Sequence, residues 1–414
     1  MRMRATALLR SPKIWVFTVF GAVLGLVLSV GYLGGVLDTD TPTGRIPIVW
    51  VDADTTAGNG WAGAVLTEQI RTGPAAGAAQ WISAGSEEQA RRLLSEGVGY
   101  AAVIIPADFS ARLASLADSS QPSAATVTLL TNPIAGPVAT GTATGVAQQV
   151  LGELSRSLGA QLVARQPTES ATARILLANP VTVVTTPVTS VPAHTAGGMA
   201  AFYYALVLIL TGFLIAQLLH SGVDGILGFT PREFLHRRAT HPPLPIGRVQ
   251  TLIAKSVLMA GCAVVAATVI ELVAVAGLGM PIAAPLGLWV FSILAVTTAG
   301  VLPLVLLAVF GSPGALLATV VLVVFGVPSS GGAYPSELLP TAFRWLGEVL
   351  PMRYITDGIR DLVFDTPATT LTRSVVAVAV WLVGGLVAGI VLTGFYDRSG
   401  RARVSAHERG LSAA

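Results

Sequence analysis

Hydrophobic positions along this chain fall into two regimes. One is a set of long, unbroken apolar runs at 14–37, 198–219, 249–277, 286–310, 315–327 and 375–395. The other, 38–196, alternates short strand-like stretches with helix-like ones. An apolar run of about 20 residues is long enough to cross a bilayer as a helix, because lipid offers no partner to an open backbone. The six runs therefore predict six transmembrane helices, the fifth of them short. Gly311-Ser312-Pro313-Gly314 is a turn signal that splits one apolar stretch into two.

Within 38–196 the pattern predicts strands at 46–51, 80–83, 100–105, 125–130 and 181–188, with helices at 61–71, 86–97, 107–116 and 138–166. Ser86 followed three residues later by Gln89 has the spacing of a capping box. The β-α-β-α-β-α-β-α-β order implies a small α/β domain with helices packed on a sheet. The expected fold class is a polytopic α-helical membrane protein with six transmembrane helices and an inserted extracytoplasmic α/β domain. Its parts are a cytoplasmic N-terminus and first helix (1–37), the α/β domain (38–196), a five-helix transmembrane bundle (197–396) and a cytoplasmic tail (397–414). The bundle carries a basic cytoplasmic loop (220–248) and an amphipathic external segment (334–364).

Charge orients this arrangement. Arg2, Arg4, Arg10 and Lys13 precede the first run, which is longer than a secretory h-region and is followed by no small-residue cleavage site. It reads as an uncleaved signal anchor. Arg232, Arg237, Arg238 and Arg248 in the loop, and Arg398, Arg401, Arg403 and Arg409 in the tail, put both termini in the cytoplasm by the positive-inside rule. Only 11% of residues are charged, against about 25% in a soluble domain, which fits a multi-pass protein of the cell membrane. The net charge of +3 is too small and too dispersed for nucleic-acid binding. Arginine far exceeds lysine, an association with bacterial high-GC coding. Cys262 has no second cysteine to pair with.

No G-x-x-x-x-G-K-[ST] loop, metal-ligand spacing or G-x-S-x-G elbow is present. The chain is expected to be no enzyme and to need no cofactor, so any ATP would be hydrolysed by a separate subunit. Glu271, inside an apolar run, reads either as a substrate- or proton-contacting carboxylate or as a residue solvated near the outer interface. Arg353, Asp357 and Arg360 stand at i, i+4 and i+7 and allow ion pairing on one helical face. They mark either a structural element closing the bundle or a gate touching substrate. The stretch 229–238 reads as a short amphipathic helix. Its Arg232, Arg237 and Arg238 would meet either the anionic leaflet or an ATP-binding subunit.

Three stretches carry a resemblance. Ile48-Val49-Trp50-Val51-Asp52-Ala53-Asp54 follows the first run. Ser86-Glu87-Glu88-Gln89-Ala90-Arg91-Arg92-Leu93-Leu94-Ser95-Glu96-Gly97 leads to Pro106-Ala107-Asp108-Phe109-Ser110. Pro335–Pro340 precedes Leu350-Pro351-Met352-Arg353-Tyr354 and Asp357-Gly358-Ile359-Arg360. Together they resemble the ABC-2-type transporter permease superfamily, in its YhgE/phage-infection-protein-like branch. The resemblance implies export in a homo- or heterodimeric assembly with a separate ATP-binding subunit, and it supplies no catalytic residue. The external region here is much shorter than in phage-infection-type proteins, which argues against a receptor role. The expected function is the permease subunit of an exporter for a hydrophobic or amphipathic compound. The alternative is a non-transporting envelope protein whose external domain binds a protein or wall component.

Overall fold

The structure is a computed structural model. It describes residues 26, 29, 45–54, 61–72, 77–118, 124–165, 177–190, 192–229, 232–234, 237–239, 244, 246–365 and 368–399. The expected first transmembrane run and the tail arginines 401, 403 and 409 lie outside these residues. The chain divides into two compact units.

The sheet unit comprises Thr41–Ala200 together with Ala333–Leu338. Its elements run β1 (Pro47–Asp52), α1 (Trp61–Thr72), β2 (Gln80–Ser83), α2 (Glu87–Ser95), β3 (Ala101–Ile105), α3 (Phe109–Asp118), β4 (Ala125–Thr131), α4 (Pro137–Arg165) and β5 (Val181–Pro187). The sheet order is β2-β1-β3-β4-β5, parallel throughout except between β3 and β4. Interior strand β1 is buried on both faces, and its side chains alternate between two cores. Ile48 and Trp50 pack with Leu66, Ile70, Phe109, Leu113 and Leu151, so α1, α3 and α4 cover one face. Val49 and Val51 pack with Ala90 and Leu94 of α2 on the other. That two-sided burial is why β1 is a continuous apolar run rather than an alternating one.

Local caps define the helices. The Ser86 hydroxyl accepts from Gln89 N at 3.2 Å, while Gln89 Oε1 accepts from Gly85 N at 2.9 Å. The return bond thus reaches one residue earlier than in the standard box. Past the end of α2, Gly97 takes φ +73°, where a glycine has no Cβ to clash. The Asn132 amide donates to Leu94 O at 2.7 Å, satisfying a carbonyl of the last turn. In the same unit the Tyr100 hydroxyl donates to the Glu337 carboxylate at 2.8 Å. The Ala333–Leu338 piece, expected within the amphipathic segment of the bundle, belongs with the sheet.

The helical unit contains α5 (Ala200–Ile226), β6 (Arg232–Phe234), β7 (Arg237–Ala239), α6 (Arg248–Leu272), α7 (Pro285–Phe310), α8 (Ser312–Ala318), α9 (Thr341–Val349), α10 (Pro351–Phe364) and α11 (Ala368–Arg398). Wider π turns extend α6 to Gly277 and α8 to Phe325. Four described helices, α5, extended α6, α7 and α11, are long and apolar enough to cross a membrane. The apolar helix Ser312–Phe325 is shorter. At 1.5 Å per residue it rises about 20 Å, below the roughly 30 Å of a hydrocarbon core. Gly311, at φ +68°, makes the expected break before it.

Helix α7 is the hub. In its apolar window 72% of residues are buried, against 17% for α6 and 11% for α11. Its neighbours approach at glycines, as membrane helices do when small residues let backbones come close. Gly212 of α5 faces the Val296 carbonyl, Gly300 faces Met259 of α6, and Gly389 of α11 faces Val305.

One expectation is corrected. In the stretch 229–238, the described residues 232–234 and 237–238 are strand rather than helix: β6 and β7 pair antiparallel, with Arg232 opposite Ala239, Glu233 opposite Arg238 and Phe234 opposite Arg237. A ten-residue segment is too short to offset the cost of nucleating a helix without strong tertiary support. The two strands are two residues apart in sequence, the spacing that closes a hairpin.

Candidate functional site

Three polar groupings interrupt the apolar interior of the helical unit. The first was hidden from the sequence reading. Helix α5 continues past the expected end at Leu219, so His220 and Asp224 stand one turn apart on a helix rather than in a loop. Lys255 comes from α6, two turns after Arg248. Its Nζ donates to Asp224 Oδ1 at 2.6 Å and lies 3.1 Å from His220 Nδ1, while His220 Nε2 is 3.3 Å from Asp224 Oδ2. Lys255 is 2% exposed and Asp224 4%. Charges this deep are tolerated when paired and hydrogen-bonded, and the geometry does both. The signal that could have found them was Lys255 itself, one of two lysines in the chain and placed inside an apolar run.

The second grouping is the expected one on α10. Arg353 Nε lies 3.7 Å from Asp357 Oδ2, and Arg360 Nη1 lies 3.2 Å from Asp357 Oδ1. Desolvation pushes the Asp357 carboxyl up, and the guanidiniums of Arg360, Arg353 and Arg373 oppose it. Arg373, at the start of α11, stands over the Tyr354 ring at 5.6 Å from its centroid. The opposite face of α10, with Met352, Ile355, Ile359 and Leu362, is buried. It packs on α11 and α7, where Gly358 meets the Phe291 ring. The apolar face of this part of the amphipathic segment is therefore covered by protein. Trp345 of α9 is 62% exposed, and the Trp381 indole donates to Val349 O at 2.8 Å. Indole rings placed in this way favour a membrane–water boundary.

Glu271 stands apart. The π turns carry its helix on to Gly277, so it is not at the helix end, and its Oε2 is buried without a hydrogen-bond partner among the described residues. Between α5 and α7, the Tyr204 hydroxyl and Ser292 Oγ are 3.2 Å apart. No ion pair among the described residues joins Glu271 to the α10 arginines. Arg232, Arg237 and Arg238 share the β6–β7 hairpin, whose register sets them on both strands.

The sheet unit has its own polar focus, beyond the C-terminal end of β1. Asp54 Oδ2 accepts from Gly63 N at 3.3 Å and from the Ser110 hydroxyl, and Asp54 Oδ1 accepts from Ser110 N at 3.5 Å. One carboxylate thus meets the N-termini of α1 and α3, where exposed N–H groups and helix dipoles favour negative charge.

Comparison with known proteins gives two findings. The model of the ABC-2 family transporter proteins matches residues 13–392. The uncharacterized protein YhgE of Bacillus subtilis (strain 168) is 26% identical over 131 residues, which is 31% of this chain and 15% of that protein. No solved structure matches the chain.

Proposed function

This chain belongs to the ABC-2 family transporter proteins, and from that premise we propose that it is the membrane-spanning subunit of an exporter. Its cargo is a hydrophobic or amphipathic compound, and a separate subunit hydrolyses the ATP. The observation that carries this reading is the family match across residues 13–392, which takes in the apolar helices and the sheet unit together. In mechanism, ATP binding in the partner shifts the population between inward- and outward-open arrangements of paired bundles. Helix α7, with glycine contacts to α5, α6 and α11, is the element against which the others move. The sheet unit faces the outside, and the basic β6–β7 hairpin faces the cytoplasm as the docking surface for the ATP-binding subunit.

Purification of the full chain from its own membranes in mild detergent tests this. ATPase activity that co-purifies and rises with an added amphipath is the expected result. A chain that carries no ATPase and binds only envelope components would overturn the exporter reading. Replacing Arg232, Arg237 and Arg238 with Gln should weaken ATPase association. Unchanged association would remove the hairpin from the docking surface.

A further inference from the structure

Two arginines of α10 pair with one carboxylate among the described residues. Arg353 and Arg360 share the Asp357 carboxylate at 3.7 and 3.2 Å. Arg373 stands over the Tyr354 ring, and its charge acts on Asp357. Asp361, one turn past Asp357, is buried and engaged in interactions of its own. Arg360 Nε is buried with no acceptor among the described residues. A buried donor without an acceptor is disfavoured, so a folded site tends to supply the missing acceptor. Guanidinium forks match the oxygens of phosphate and carboxylate groups.

An apolar track starts at the same place. From Arg373 along α11, Val376, Val380, Val383, Val387 and Val391 recur at helical spacing, each more than half exposed. From Val376 to Val391 the helix rises about 22 Å, the length of a long acyl chain. Charge at one end and an aliphatic stripe running away from it form the complement of an amphipath.

We propose that Arg353, Arg360 and Arg373 bind the phosphate or carboxylate head group of an anionic amphipath whose tail lies along the valine stripe of α11. Asp357 holds two of the arginines in place and weakens the site's charge, so it tunes affinity. The inference rests on the exporter reading only in making this amphipath a cargo; the binding site stands on the cluster alone.

The test uses the full chain in phosphatidylcholine nanodiscs, with dioctanoyl phosphatidylglycerol as probe and dioctanoyl phosphatidylcholine as control, read by calorimetry. The wild-type chain should prefer the anionic probe by at least about tenfold, and R360Q and R373Q should each lose about tenfold, the worth of one charge-assisted bond. R360K should keep part of the affinity, and D357N should raise it. Because Arg373 is exposed, R373Q tests the site without disturbing packing. Equal affinity for both probes, or wild-type binding by R373Q, would overturn the proposal. Discs filled with long-chain phosphatidylglycerol then separate the sources. Exclusion of the probe assigns the site to a bilayer lipid, continued binding assigns it to an amphipath in transit, and either keeps the anion site. No ATPase enters the measurement. A chain that binds the probe but lacks an ATPase partner would sink the exporter reading and leave this one standing.

Discussion

Substituting one member of the Lys255–Asp224 pair leaves the other as a charge inside the helical unit. Lys255→Met should therefore cost about 3–5 kcal/mol, seen as a lowered thermal midpoint in detergent. The double change Lys255→Met with Asp224→Leu should recover much of that loss, since two matched apolar groups replace a desolvated pair. A double variant no more stable than the single one would show that other partners dominate at Asp224. In the sheet unit, Asp54→Ala removes the acceptor for Gly63 N and for Ser110 N and Oγ. A loss of about 1–3 kcal/mol is expected, with faster hydrogen exchange at the starts of α1 and α3. Unchanged exchange at both would refute the shared cap. These residues differ in how legible they were. The Arg353–Asp357–Arg360 spacing sets a pairing that a single helix can make, so it was readable. The His220–Asp224–Lys255 contact joins two helices, and no spacing within one segment encodes it.

At the scale of elements, glycine contacts set the distance between helices. A Cβ on Gly212 would stand 2.6 Å from the Val296 carbonyl oxygen, which is backbone and cannot swing away. Gly212→Leu should force α5 from α7 and cost at least about 1–3 kcal/mol, read as lost monodisperse yield and a lower midpoint. Gly222→Ala, on the same helix with nothing within 4 Å, is the control and should be neutral or slightly stabilising. Equal effects from the two would mean that the α5–α7 approach does not matter. Strand and helix types in the sheet unit followed from periodicity, because β1, β3 and their covering helices each bury a face that their own pattern marks. The 229–238 stretch defeated the same method. Its few apolar residues fit a helical stripe on paper, while the backbone pairs as a hairpin.

For the molecule as a whole, the arrangement predicts that the sheet unit lies outside the membrane. Thr186, exposed near the end of β5, can be changed to Cys in a Cys262→Ser background. A membrane-impermeant maleimide added to intact cells should label it; labelling only after lysis would reverse the topology and the direction of export. Sequence by itself determined that this chain must be a multi-pass membrane protein with an inserted α/β unit, because lipid accepts only long sealed helices and a sheet needs alternating or doubly buried strands. Tertiary structure decided what those elements touch. Packing made α7 the hub, brought Lys255 to Asp224, and set Arg373 of α11 over the Tyr354 ring of α10. The physical reason is one of range. Hydrogen bonding and periodicity act within a segment, whereas the partner that neutralises a buried charge comes from whichever helix packs against it.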